Sequence, residues 1–205
     1  VVGNNTNSLA QIFVSDTDGS NTGTGSVYLW GAQIEQGSYP TSYIPTSGSA
    51  VTRSAETANG AGDASTFNDS EGVLMVDVAA IYKSSAGYDS VSITDGSASN
   101  KVQLYFTPAI NQLYYIITAT TNQAVGFITL NDATSFNKIA IKYKANDFAL
   151  WSNGYELLTD TSGSTPIGLN TLNFDNGTGS TDFYGNTKQI QYFDSALNDS
   201  DLETL

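Results

Sequence analysis

The chain has 205 residues and a formal net charge of −13, from 7 Lys+Arg against 20 Asp+Glu, and it contains neither histidine nor cysteine. That length suits a domain whose core needs no disulfide or metal staple, and the charge argues against a nucleic-acid or membrane partner, because phosphate surfaces repel it. Without His or Cys there is no Ser-His-Asp relay, no thiolate nucleophile and no Cys/His zinc site.

Only 13% of residues are charged, while Tyr (12), Phe (9) and Gly (19) are plentiful. Aromatic and β-branched residues favour strands, Gly, Asn, Asp and Ser favour turns, and the scarcity of Lys and Glu leaves little for exposed helices. An all-β chain is expected. Residues 9–15 (LAQIFVS) and 26–35 (SVYLWGAQIE) read as two strands joined by the polar turn DTDGSNTGTG. Residues 1–35 are too few for a complete domain and read as a partial hairpin, the remnant of an upstream jelly roll. Val1 opens the chain and Met75 is its only methionine, so a piece of a longer product is expected.

Residues 36–62 change character. Pro40 and Pro45 cannot donate ladder hydrogen bonds and sit among Ser, Thr and Gly. Tyr39, Tyr43 and Ile44 are too apolar for a free linker, so the segment is expected to lie against a surface. From residue 63 onward a sandwich is expected, with strands at 72–82, 89–95, 101–107, 113–120, 124–130, 137–145, 147–153, 155–159, 170–174 and 186–194. Turn signals such as Asp95-Gly96, Asn131-Asp132, Asn153-Gly154 and Asn176-Gly177 separate them. Leu74, Val76, Val78 and Ala80 alternate with Met75, Asp77 and Ala79. Val102, Leu104 and Phe106 alternate with Lys101, Gln103 and Tyr105, and Ile139, Ile141 and Tyr143 with Lys138, Lys142 and Lys144. One core face and one outer face per strand predict an all-β, two-sheet antiparallel jelly-roll sandwich. The lysine stripe reads as a solvated edge guarded against aggregation. The ending SALNDSDLETL offers Asn198 or Ser200 as a cap and Leu197, Leu202 and Leu205 as apolar positions, predicting one short C-terminal helix.

Two stretches resemble known families. Val27–Glu56, with the run Trp30-Gly31-Ala32-Gln33-Ile34-Glu35 and the linker Thr41–Thr46, resembles the last strand and exit linker of carbohydrate-binding-like jelly rolls in structural proteins of tailed bacteriophages. Asn137–Gly163 and the ending from Thr187 resemble concanavalin A-like (laminin-G-like) lectin/glucanase domains, which follow that linker in such proteins. The resemblance implies a virion component on a tail fibre, tailspike or capsid appendage. It would be located at the virion surface, contact other virion proteins and host-surface polysaccharide, and form a homo-oligomer such as a trimer.

The fold also raises hydrolysis. Glycosidases need two carboxylates across the scissile bond, about 5–5.5 Å or 6.5–9.5 Å apart, which the glucanases of this fold carry as Glu-x-Asp-x-x-Glu on one strand. Glu35, Glu56, Glu71, Glu156 and Glu203 are the only glutamates, and none sits in that run. Gln189-Ile190-Gln191 echoes an alginate-lyase strand without its histidine. A non-catalytic module is therefore expected. Lectin sites pair aromatic rings with amides or carboxylates that take sugar hydroxyls. The outer-face residues Asp77, Gln103, Tyr105, Tyr114 and Trp151 form the candidate glycan site, on the expectation that their strands share one surface. Packing in the core or between subunits is the competing role for these aromatics.

Asp16, Asp18 and Asn21 in DTDGSN have the spacing of an oxygen-coordinated calcium loop, though the downstream Glu of a full loop is missing and a plain hairpin turn explains the same residues. Asp194, Asn198, Asp199 and Asp201 could gather round a cation or simply cap the helix. Two further readings stand beside the receptor-binding one: a structural or decoration module with no sugar site, and a carbohydrate-binding module of a secreted polysaccharide-degrading enzyme.

Overall fold

The computed structural model describes residues 23, 26, 28–33, 42–52, 59–81, 87–109 and 111–205, and the chain divides into two units, Val1–Glu56 and Thr57–Leu205. In the first unit the described residues 26 and 28–33 form no strand, contrary to the expectation for 26–35. Gly31 sits at φ +72°, which breaks an extended run. The Gln33 side chain turns back instead, its Oε1 accepting the Ile44 backbone N–H at 2.8 Å, and Tyr43 packs on Trp30 with ring centroids 5.0 Å apart. The expected strand at 9–15 lies outside the described residues.

The second unit is the predicted sandwich. Its strands are β1 (Asn59–Ala61), β2 (Glu71–Ala80), β3 (Asp89–Thr94), β4 (Asn100–Phe106), β5 (Gln112–Ala119), β6 (Thr121–Thr129), β7 (Asn137–Lys144), β8 (Phe148–Ser152), β9 (Tyr155–Asp160), β10 (Thr171–Asn173) and β11 (Gly185–Phe193), with one helix, α1 (Asp199–Leu202). One sheet runs β1-β10-β3-β4-β5-β6 and the other β11-β2-β7-β8-β9, and every strand pairing is antiparallel. The sandwich starts before residue 63, because β1 closes the edge of the six-stranded sheet against β10.

The alternation in the sequence is the alternation in space. Leu74, Val76, Val78, Val91, Ile93, Val102, Leu104, Ile117, Ile139, Ile141 and Tyr143 fill the layer between the sheets. Their removal from water supplies most of the drive to fold, at roughly 1.5–3 kcal/mol for each fully buried large side chain. Asn153 and Gly154 both take positive φ (52° and 81°) in the two-residue turn between β8 and β9, as the twist of a tight hairpin requires.

The two outer faces are covered differently. On the five-stranded sheet the C-terminal segment forms a second apolar cluster, in which Leu202 and the partly buried Leu197 and Leu205 pack with Val73, Met75, Ala140, Ala149 and Trp151. Asn198 caps α1 by accepting the Asp201 N–H at 3.0 Å. The lysine stripe is corrected here: β7 is the central strand of its sheet, not an edge. Lys142 is buried, 2.9 Å from Asp147 and 3.9 Å from Asp199, so it clamps the start of α1 to the sheet.

Candidate functional site

On the six-stranded sheet the segment between β10 and β11 folds over β3 and seals it. Ser92 Oγ donates to the Asp175 carbonyl at 2.8 Å, Ser90 Oγ and Thr181 Oγ1 are 3.0 Å apart, and Ser90, Ser92 and Thr94 are fully buried. Beyond that cover, the outer faces of β4, β5 and β6 remain.

Strand register places Tyr105 opposite Tyr114, and Tyr114 opposite Phe127. Their rings stack, with centroids 5.2 Å and 5.1 Å apart and planes inclined by 13° and 24°. Tyr88, just before β3, meets Tyr105 edge-on at 5.7 Å. Parallel rings this close cannot lie side by side in one plane without clashing. They form an offset stack, so within the row each face is partly covered and edges and hydroxyls are presented. Phe127, 51% exposed on edge strand β6, has no ring of the row beyond it. Among the described residues the hydroxyls of Tyr88, Tyr105 and Tyr114 meet no hydrogen-bond partner, and Trp151 Nε1 is the one buried side-chain polar atom left unpaired. The three hydroxyls therefore reach solvent with hydrogen bonds to give. Burial raises the Tyr105 phenol above its ordinary pKa, with the neighbouring Tyr114 and Tyr88 adding to the shift.

A second row, two residues along the strands, contains Gln103, Ile116 and Val125. Gln103 is buried and its Nε2 donates to Ser90 Oγ at 3.0 Å, so it braces β3 against β4. Lys101 is the one charged side chain on β4, β5 and β6, and partial burial lowers its pKa.

The expectation of one shared surface for all five candidates is corrected. Gln103, Tyr105 and Tyr114 lie on the outer face of the six-stranded sheet, whereas Asp77 and Trp151 lie on the opposite side of the molecule, on β2 and β8 of the other sheet. Asp77 is buried and bound to Lys188 at 3.3 Å, and Trp151 is 4% exposed beneath the C-terminal cluster. Sequence reasoning missed Tyr88 and Phe127. Phe127 was legible, since it follows Val125 at the two-residue spacing of one strand face. Tyr88 lies one residue before its strand but in phase with the outer-face Ser90 and Ser92, so the same two-residue spacing carried its signal.

The metal candidates Asp16, Asp18 and Asn21 lie outside the described residues. Asp199 and Asp201 serve the helix start, and among the described residues no group of three or more His, Cys, Asp or Glu side chains gathers as a metal site. A small cavity of about 30 Å³ lies between the ends of β2 and β4 near Asp89, Phe106 and Thr107.

No known family model matches the sequence, and no curated protein matches it. Solved structures do match. The CBM40 domain of the Ruminococcus gnavus IT-sialidase, bound to α2,3-sialyllactose, superposes with a TM-score of 0.56 at 18% identity, covering 73% of this chain and 94% of that one. Leech intramolecular trans-sialidase gives 0.52 at 17% identity, covering 67% of this chain and 23% of that one. NanB sialidase from Streptococcus pneumoniae gives 0.52 at 15%, covering 70% and 26%. The matched part of this chain thus spans about a quarter of those two sialidase chains and nearly all of the isolated binding domain. At these identities the likeness is one of fold, and that fold is the two-sheet jelly roll.

Proposed function

We propose that residues 57–205 form a non-catalytic glycan-binding module whose ligand lies across the outer face of the six-stranded sheet. The observation that carries this reading is the row Tyr88–Tyr105–Tyr114–Phe127, which combines accessible apolar edges with three hydroxyls that meet no partner among the described residues. Sugars present apolar C–H patches between hydroxyls, and such a surface answers both. A fold shared with a sialidase carbohydrate-binding domain bound to sialyllactose supports the reading. No carboxylate occurs on β4, β5 or β6, so those strands lack the acid and base that glycoside hydrolysis needs. The setting we propose, a homo-oligomeric appendage on the surface of a tailed phage that contacts host polysaccharide and other virion proteins, rests on the sequence resemblance of Val27–Glu56. A carbohydrate-binding module of a larger secreted enzyme fits the same site.

The test is calorimetric titration of the chain with a panel of purified bacterial surface polysaccharides. Saturable binding that Tyr105→Ala weakens at least tenfold with an unchanged melting curve supports the module. Absence of binding across the panel by the folded protein refutes it.

An assembly module is the second reading, favoured by β6. This nine-residue edge strand carries no charge and exposes Val125 and Phe127, and among the described strands only β5 pairs with it, so its other edge is a template for another chain. Sedimentation of the wild type and Val125→Lys separates the two readings: an assembly strand gives an oligomer that the lysine breaks.

A further inference from the structure

The row also specifies the kind of glycan, an inference that rests on the binding reading above. Its centroids step by 5.7, 5.2 and 5.1 Å, close to the spacing of the strands themselves. The rings of Tyr88, Tyr105 and Tyr114 therefore recur roughly once per strand, each carrying one hydroxyl, and the row ends in Phe127 on the sheet edge. A flat ribbon of equatorially 1,4-linked pyranoses advances by about the same step per sugar. Chains with axial linkages coil and lose register after a unit or two. Cavities of about 30 and 10 Å³ open at the sandwich end beside Asp89 and Phe106 and beneath the C-terminal cluster at Trp151, while the row itself runs as a strip from strand to strand along the outer face.

We propose that the row binds the interior of an extended, equatorially 1,4-linked polysaccharide laid across β4, β5 and β6, with one sugar at each ring. Tyr88, Tyr105 and Tyr114 exchange hydrogen bonds with successive sugars through their hydroxyls. Phe127 supports the sugar at the sheet edge by apolar contact. Four rings define four subsites.

The experiment is titration of the full chain with cello- and chito-oligosaccharides of two to six units, with maltohexaose and 3′-sialyllactose as counter-probes and the bacterial polysaccharide panel alongside. The expected result is affinity that climbs with length to four units and then levels, for at least one equatorial series, with maltohexaose and 3′-sialyllactose at least tenfold weaker. Phe127→Ala, on an exposed edge position, should move the plateau from four units to three and weaken the tetramer about three- to tenfold. Tyr88→Ala should do the same at the other end, and a melting curve confirms that each variant is folded. Binding of a dimer, maltohexaose or 3′-sialyllactose as tightly as the best hexamer overturns the inference. So does an unmoved plateau in both folded variants. Binding to the panel but to neither equatorial series overturns this inference and leaves the glycan-binding reading standing, while no binding to anything overturns both.

Discussion

Tyr143 Oη and Tyr192 Oη lie 2.8 Å apart, joining β7 to β11 across the intervening strand β2. The donors can be assigned. Tyr143 gives its one proton to the Asn68 carbonyl at 2.6 Å, so it accepts from Tyr192, which itself accepts the Asn68 N–H at 2.7 Å. The strand between the two tyrosines leaves room for the contact because it carries Gly72. A Cβ there would lie 2.8 Å from both Tyr143 Oη and the Phe193 carbonyl.

Removing one hydroxyl leaves its partners unsatisfied in a buried place. Tyr143→Phe is expected to cost about 1–3 kcal/mol in urea unfolding, and Tyr192→Phe a similar amount. Because the network is shared, the double variant should lose less than the sum of the singles. Strict additivity would mean that the hydroxyls act independently.

The same network makes an alkaline prediction. Burial first, and then the hydrogen bond to Tyr192, raise the Tyr143 phenol well above its ordinary value of 10.0. Above pH 10 the unfolded chain gives up this proton while the folded chain keeps it. The stabilisation is therefore complete below the unfolded pKa and is lost as pH rises toward the folded one. Unfolding free energy measured from pH 8 to 11.5 should fall above pH 10, and Tyr143→Phe should fall less steeply. Parallel curves for the two proteins would count against the assignment.

The sandwich was legible because two-residue alternation is a local signal. Val102, Leu104 and Phe106 announce their face without reference to any other strand, and the turns announce themselves by Asn-Gly and Asp-Gly. Which strands lie side by side is a long-range fact that alternation does not encode. Asp77 and Gln103 are both outer-face residues, and only the sheet order puts them on opposite sides of the molecule. Burial of an outer face was illegible for the same reason. Trp151 looks like a lectin aromatic until Leu202, about fifty residues away in sequence, is found packed in its cluster. Lys142 looks like a solvated charge until Asp147 and Asp199 close on it.

Lys142 yields a prediction about which partner matters. Its ammonium is nearly enclosed, while Asp147 is half exposed. Asp147→Ala removes the close counter-ion and strands a buried cation, whereas Lys142→Met removes the charge and keeps most of the apolar stem. Asp147→Ala should therefore destabilise by about 2 kcal/mol and Lys142→Met by less than about 1 kcal/mol. The reverse order in thermal unfolding would show that Lys142 acts through its charge on the sheet rather than through this pair.

The C-terminal cluster gives the last prediction, and it also separates the two outer faces. Trp151 is 4% exposed under Leu202, whereas the chain's other tryptophan, Trp30, is 86% exposed. In a Trp30→Phe background, emission then reports Trp151 alone and should be blue-shifted and poorly quenched by acrylamide. Leu202→Ala removes the buried anchor of a four-residue helix too short to hold itself together. The segment should peel from the sheet in a local opening. Emission should shift to the red and quenching should rise well below the global unfolding midpoint. Glycan affinity should stay within about twofold, a change of less than about 0.5 kcal/mol, because the aromatic row lies on the other sheet. A folded Leu202→Ala variant that loses glycan binding would move the site to the five-stranded sheet and restore Trp151 as its aromatic platform.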